Sequence, residues 1–294
     1  MTAFDEETGQ NIPELTEFGG WDVAVRFHEF RKQLKKPEAV RRLQRVSAEA
    51  ILSRAREVLG SVSSPTEMKS ANLAEAPPQA QGSEIDLDDT IENEPLALKK
   101  GDLRAADIWI RYREHRRQAV ILSVDTSLSM TGEKLALTGV ALAVVLLQFP
   151  NDPIGVVAFE NEATVLKRPE ERIRARDLIE RFLGVPAQGY THLEDGLKSA
   201  LKLVRAVENT SRIRPSTVLL SDGKYTAGSD PSYLAHRFPH LVVLKMGRER
   251  ASLSLCRELA RKGGGAVREV PELESLPSAM YGVVKDLLRG FSRR

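Results

Sequence analysis

The chain has 294 residues, 41% of them hydrophobic, enough for one large domain or one domain with a smaller companion. A net charge of +2 and only 5% aromatic residues argue against a general nucleic-acid binder. The single cysteine, Cys256, excludes an internal disulfide and a cysteine-based zinc site.

In chain order, residues 1–20 are polar and acidic at the start, without an apolar signal core. The longest apolar stretch, Val140 to Leu147, is too short to span a bilayer, so a cytoplasmic protein is expected. Residues 22–60 read as two helices separated near Pro37. Phe27, Phe30 and Leu34 mark the first. Val40, Leu43, Val46, Ala50 and Leu59 mark the second. Arg41, Arg42, Arg45, Arg54 and Arg56 lie on the opposite side, a solvated face or a docking face for an acidic partner. Residues 61–98 are rich in Ser, Pro and Gln and then acidic, which predicts a flexible tether. The boundaries expected are therefore a helical segment over 1–60, a linker over 61–98 and an α/β domain over 99–294.

In that domain Asp107 to Tyr112 alternates and predicts an opening strand, followed by a basic turn at Arg113, Arg116 and Arg117. Ala119 to Val124 predicts a buried strand. Glu133 to Phe149 is apolar nearly all round, a covered helix. Ile154–Phe159 and Ala163–Lys167 predict a hairpin. Helices follow over Arg172–Leu183 and Leu193–Val207, strands over Thr217–Leu220 and Leu241–Met246, then helix Leu253–Arg261, strand Ala266–Val270 and helix Leu273–Leu288. Alternating strands and helices imply an α/β fold: a doubly wound, mostly parallel central sheet with helices on both faces. Ligands bind such sheets at the carboxyl ends of strands.

Two acids stand at such ends. Asp125-Thr126-Ser127-Leu128-Ser129 follows the first buried strand, and Ser221-Asp222-Gly223 follows a later one. Between them, Thr191 begins a helical stretch. Hard oxygens converging on one point suit Mg²⁺ or Mn²⁺. The plain alternative is that both acids cap helices or turn corners. His192, next to Thr191, would suit a softer ion, and Asp195 reads as a first-turn acid of the helix. No G-x-S-x-G or P-loop motif occurs, and Gly263-Gly264-Gly265 follows a helix and precedes a strand, the place of a helix cap. A non-catalytic role is expected.

The D-x-S-x-S run, the later Thr and the D-G turn resemble the metal-ion-dependent adhesion site of von Willebrand factor A domains, over roughly residues 105–292. Leu128 and Tyr190 stand where that family usually or often has Gly. The resemblance implies that Ser127, Ser129 and Thr191 ligate Mg²⁺ or Mn²⁺, that Asp125 and Asp222 ligate it or hold its waters, and that a partner's Asp or Glu fills the open position. It also resembles the cytosolic type that works with MoxR-like AAA+ ATPases, which implies a role as adaptor or co-chaperone in complex or metalloenzyme assembly. The alternatives are an accessory subunit of a magnesium or cobalt chelatase, though residues 1–60 are too short for the ATPase-like module expected there, and a nucleic-acid-associated A-domain protein.

Overall fold

A computed structural model describes residues 3–5, 10–12, 19–61, 68–76, 81–93, 104–113, 118–187, 189–211 and 213–289. Contacts divide the chain into two compact units, one of residues 1–63 and 118–294 and one of residues 64–117. The expected tether and its flanks thus carry a unit of their own, and the amino-terminal helices belong to the larger one.

Strands β1 (Ala3–Asp5) and β2 (Gln10–Ile12) pair antiparallel. Helices α1 (Gly20–Val25), α2 (Phe27–Gln33) and α3 (Pro37–Ser61) follow. The first expected helix is therefore two, broken at Arg26, whose ψ of 15° leaves the helical well. Val23, Phe27, Phe30, Leu43, Ile51 and Ala55 are buried in the main core, whereas Arg41, Arg42, Arg45 and Arg56 face solvent.

The smaller unit holds β3 (Met68–Asn72), β4 (Gln81–Ile85), helix α4 (Leu87–Asn93) and β5 (Trp109–Arg113). The strand expected to open the main sheet, β5, instead lies between β3 and β4, antiparallel to both. Its alternation is that of a sheet with one covered face: Ile110 and Tyr112 are buried and Arg111 is exposed. Asp86, within the expected acidic run, is a helix cap here. Its Oδ1 accepts the Asp89 N–H at 3.2 Å and its Oδ2 pairs with Arg111. The turn expected at Arg113, Arg116 and Arg117 lies outside the described side chains.

The larger unit continues with β6 (Val120–Asp125), α5 (Glu133–Gln148), β7 (Ile154–Phe159), β8 (Ala163–Lys167), α6 (Ala175–Gly184), α7 (Leu193–Ser211), β9 (Ser216–Ser221), β10 (Leu241–Met246), α8 (Leu253–Lys262), β11 (Gly264–Val270) and α9 (Leu276–Arg289). Among the described residues, six strands form the main sheet in the order β11-β10-β9-β6-β7-β8. All neighbours are parallel except the β7–β8 hairpin. This is the expected mostly parallel α/β architecture. A short 3₁₀ helix over Pro231–Arg237, capped by Asp230, has no apolar period and was not legible beforehand. The Gly263 cap is as expected: its N–H donates to the Leu259 carbonyl at 2.9 Å, and Gly264 takes a φ of +67°.

Side chains of each central strand alternate between two cores. Val120, Leu122 and Val124 of β6 join the core with α1–α3, α5, α6 and α9, while Ala119 and Ile121 join the core with α7 and α8. Helix α5 is buried along nearly its whole length because α3 packs over the side that the sheet does not cover. Arg31 fastens this covering layer. Its Nη1 donates to the carbonyls of Leu183, Gly184 and Val185, at 3.3, 3.0 and 3.5 Å, at the carboxyl end of α6.

His28 lies in the same layer, packed edge-on against Phe27, with Nε2 buried and unpartnered. Burial, followed by the positive charges of Arg31 and Lys32, pushes its pKa down from 6.5 to about 4. The folded protein therefore keeps His28 neutral while the unfolded chain takes up a proton. Its contribution to stability is present above pH 6.5 and is lost as the pH falls toward 4. Between pH 7 and 4.5 the wild type should lose about 2 kcal/mol more than His28→Gln in denaturant titrations. Parallel pH profiles for the two proteins would contradict the buried neutral imidazole.

Candidate metal centre

The chain leaves β6 at the centre of the sheet, runs outward through β7 and β8, and returns on the other side of β6 as β9. Strand order therefore reverses at β6 and β9, the crevice where open α/β sheets bind ligands. Asp125 is the last residue of β6, and Asp222 directly follows β9.

Both carboxyls are fully buried. Asp125 Oδ1 accepts the Ser127 N–H at 2.9 Å, bending the loop so that Ser127 Oγ lies 3.2 Å from Ser129 Oγ. Asp125 Oδ2 accepts the Ser221 hydroxyl at 2.6 Å, a bond across the β6–β9 crevice. Burial pushes the Asp125 carboxyl up to about 6. The bonds from Ser221 and Ser127 oppose this, and the nearby Asp222 charge adds to it.

Asp222 Oδ1 accepts the Lys224 N–H at 3.1 Å, an Asx turn, and Gly223 takes a φ of +75°. Its Oδ2 lies 3.4 Å from Lys134 Nζ and 3.8 Å from Lys224 Nζ. Both ammonium groups are shared with Glu249, at 2.6 and 3.7 Å. The Lys134 hydrogen bond is the main reason that the Glu249 carboxyl falls to about 2. From behind, the Ser252 hydroxyl donates to the Asp222 carbonyl.

Thr191 is buried just before α7 and is tied to both acidic loops. On one side the Leu128 N–H donates to the Gly189 carbonyl at 3.2 Å. On the other, the Thr191 N–H donates to Thr226 Oγ1 at 3.0 Å and its carbonyl accepts the Thr226 N–H at 3.0 Å. The β7–β8 hairpin holds the same loop: Gly189 N–H donates to Glu160 Oε2 at 3.1 Å and Tyr190 N–H to Asn161 Oδ1 at 2.8 Å. The five residues singled out in the sequence thus lie on three loops that are hydrogen-bonded to one another at one end of the sheet.

His192 is engaged elsewhere, with Nδ1 3.1 Å from the Asn161 carbonyl oxygen and Nε2 3.9 Å from Glu194. Asp195 Oδ2 accepts the Ala163 N–H at 2.7 Å and braces β8. Cys256 is a buried core thiol, its pKa raised to about 11 by burial. Sequence reading missed Ser221, Lys134, Glu249 and Thr226. Ser221 had a local signal, its place beside Asp222 at a strand end. Lys134 and Glu249 had none, since they are distant along the chain.

Among the described residues no cluster of three His, Cys, Asp or Glu side chains offers another metal site. The donor set here is different: two buried carboxyls and three hydroxyls, all hard oxygens. It fits a divalent ion of the Mg²⁺ class better than a softer metal. Asp125 fits in particular, because a carboxyl that burial disfavours as an anion gains from a nearby cation.

The profile described as the von Willebrand factor type A domain matches residues 120–224. An uncharacterized protein of Mycobacterium tuberculosis is 31% identical over 208 residues, 64% of this chain and 32% of that protein. The chain thus spans about a third of the length of this curated relative. Similar solved structures include the conserved hypothetical protein BatB from Bacteroides thetaiotaomicron, with 18% identity and a TM-score of 0.48 over 58% of this chain and 99% of that one. Proximal thread matrix protein 1 from the mussel byssus, solved with a zinc-occupied MIDAS motif, has 18% identity and a TM-score of 0.49 over 58% of this chain and 48% of that one. The profile match contains Asp125, Ser127, Ser129, Thr191 and Asp222, so the segment that holds all five is similar to a von Willebrand factor type A domain.

Proposed function

We propose that Asp125, Ser127, Ser129, Thr191 and Asp222 hold Mg²⁺ or Mn²⁺ and that the ion engages an Asp or Glu carboxylate of a protein partner without turnover. The observation that carries this reading is the pair of fully buried carboxyls at the strand-order reversal, with hydroxyl loops hydrogen-bonded around them. The ion supplies an electrophilic open coordination position. The protein's part is to hold the oxygens in place: Ser221 fixes Asp125, Thr226 fixes Thr191, and the Lys224 N–H fixes Asp222. Neutral hydroxyls leave much of the ion's charge for an incoming carboxylate.

In this reading the partner is an AAA+ ATPase of the MoxR type, for which the protein acts in the cytoplasm as an adaptor or co-chaperone during complex or metalloenzyme assembly. The resemblance of the D-x-S-x-S, Thr and D-G segments supports it. A chelatase accessory role is the second reading, motivated by the acidic, proline-containing stretch over residues 61–98 that precedes the α/β domain. The test is a pull-down with wild type and Asp125→Ala, each in Mg²⁺ and in chelator, with partners identified by mass spectrometry. An AAA+ protein retained only by wild type in Mg²⁺ is expected. Chelatase subunits in that fraction would favour the second reading. The same proteins captured in all four arms would refute a metal-dependent interaction.

A further inference from the structure

Leu128, Tyr190 and Tyr225 are large apolar side chains left in solvent, 54%, 71% and 39% exposed. Each belongs to a different loop of the metal centre. Leu128 stands between Ser127 and Ser129. Tyr190 precedes Thr191. Tyr225 stands between Lys224, whose N–H fixes Asp222, and Thr226, which fixes Thr191. These loops do not fold the side chains inward. The backbone beside Tyr190 is held by Glu160 and Asn161, and the Leu128 N–H is held by Gly189, so the rings and the isobutyl group are presented outward on braced backbone. Holding apolar surface in water beside a binding site costs free energy that covering it recovers.

The charges state what covers it. Around the ion's position, Asp125, Asp222 and Glu249 carry three negative charges, and Lys134 and Lys224 carry two positive ones. A divalent ion leaves this group net positive, with Lys224 40% exposed at its edge. An acidic group is attracted to the centre and an apolar group to its rim.

We infer that Leu128, Tyr190 and Tyr225 form an apolar rim that selects a partner segment whose coordinating Asp or Glu is flanked by bulky apolar residues. This inference rests on the metal reading above and adds the sequence class of the partner. Covering about 60 Å² of apolar rim corresponds to a factor of about ten in affinity.

The probes are two blocked pentapeptides, Gly-Gly-Glu-Gly-Gly and Gly-Leu-Glu-Phe-Gly, titrated by NMR into the full chain with Mg²⁺ or with chelator. Wild type should bind the apolar-flanked peptide about ten-fold more tightly in Mg²⁺. Leu128→Ser/Tyr190→Ser should bring the two peptides within about two-fold, with Mg²⁺ affinity and binding of the glycine peptide unchanged. Both side chains are exposed, so retained Mg²⁺ binding serves as the folding control. Equal Mg²⁺-dependent affinities in wild type would overturn the rim and leave the metal reading standing, as would a preference that survives in the double variant. No Mg²⁺-dependent binding of either peptide would overturn the metal reading and the rim with it. A Mg²⁺-dependent dimer in sedimentation, lost in the double variant, would assign the rim to a second copy and overturn the partner segment.

Discussion

Asp125→Ala should lower Mg²⁺ or Mn²⁺ affinity at least about 100-fold while the protein stays folded. Asp125 holds the centre together through both oxygens. One accepts the Ser127 N–H and orients the serine loop, and the other accepts the Ser221 hydroxyl across the β6–β9 crevice. Alanine removes a negative charge and also releases Ser127, so the hydroxyl pair loses its geometry. The stability cost is smaller than so buried a residue suggests. Two orphaned donors cost about 1–3 kcal/mol each. Against this, the substitution removes a carboxyl that burial disfavours as an anion, as its upward shift to about 6 shows. Asp125→Asn separates the two roles. It keeps an acceptor for the Ser127 N–H and should unfold within about 1 kcal/mol of wild type, yet bind metal at least about ten-fold more weakly. Calorimetry, with Mn²⁺ relaxation for weak binding, measures the first effect, and denaturant titration measures the second. Metal affinity equal to wild type in the alanine variant would remove Asp125 from the site.

Gly223→Ala should destabilise the protein by more than about 3 kcal/mol and weaken the metal centre with it. Two independent costs meet at this residue. Its φ of +75° is one that a residue with a Cβ adopts at a cost of about 1–2 kcal/mol. A Cβ there would also overlap Cys256 Sγ and approach Ser252 Cβ and Oγ at 3.1 Å. Ser252 and Cys256 stand at the start of α8, and Ser252 fastens the Asp222 carbonyl, so the strain falls on the segment that aims the second carboxylate. Adding Cys256→Ala should restore the overlap part and leave the φ part, recovering roughly half of the lost stability. Denaturant titration of the two single variants and the double variant gives the answer. A Gly223→Ala protein as stable as wild type would mean that the turn has another conformation open to it.

The two acids differ in how they were legible. Asp125 and Asp222 could be placed at strand ends because near-continuous apolar runs, such as Val120–Val124, announce strands covered on both faces. A carboxylate at the end of such a run has few places to go except the sheet's rim. The hydroxyls at alternate positions gave the chemistry, and the spacing of Thr191 and Asp222 gave the resemblance. The support was not legible. Lys134 begins a helix and Glu249 lies in a loop, and neither position differs in sequence from an ordinary surface charge; only the fold brings them to the same carboxylate.

The amino-terminal third shows the same limit in another form. Helical periods at Phe27 and Phe30 and at Leu43 were readable, because burial on one side of a helix imposes a period of 3.6. What the helices pack against was not, because an apolar stripe does not name its partner. α5 gave one hint: a helix apolar all round must be covered twice. That β5 pairs with β3 and β4 and not with the main sheet was not legible for a related reason. Composition averages over a window, whereas the β3-β5-β4 pairing depends on which backbone meets which, and the alternating Trp109–Arg113 strand fits any sheet with one covered face.

The sequence by itself determined the α/β class and the strands and helices of the main sheet from β6 onward, and it singled out five oxygen-bearing residues beside strand ends, since each follows from local pattern and spacing. Only the tertiary structure decided that strand order reverses between β6 and β9, that Ser221 bridges to Asp125, that Lys134 and Glu249 flank Asp222, and that Leu128, Tyr190 and Tyr225 stay in solvent around them. The physical reason is one of range. Periodicity and turn chemistry act over a few residues, while burial and charge pairing depend on segments far apart in the chain that meet when the two cores close on the sheet.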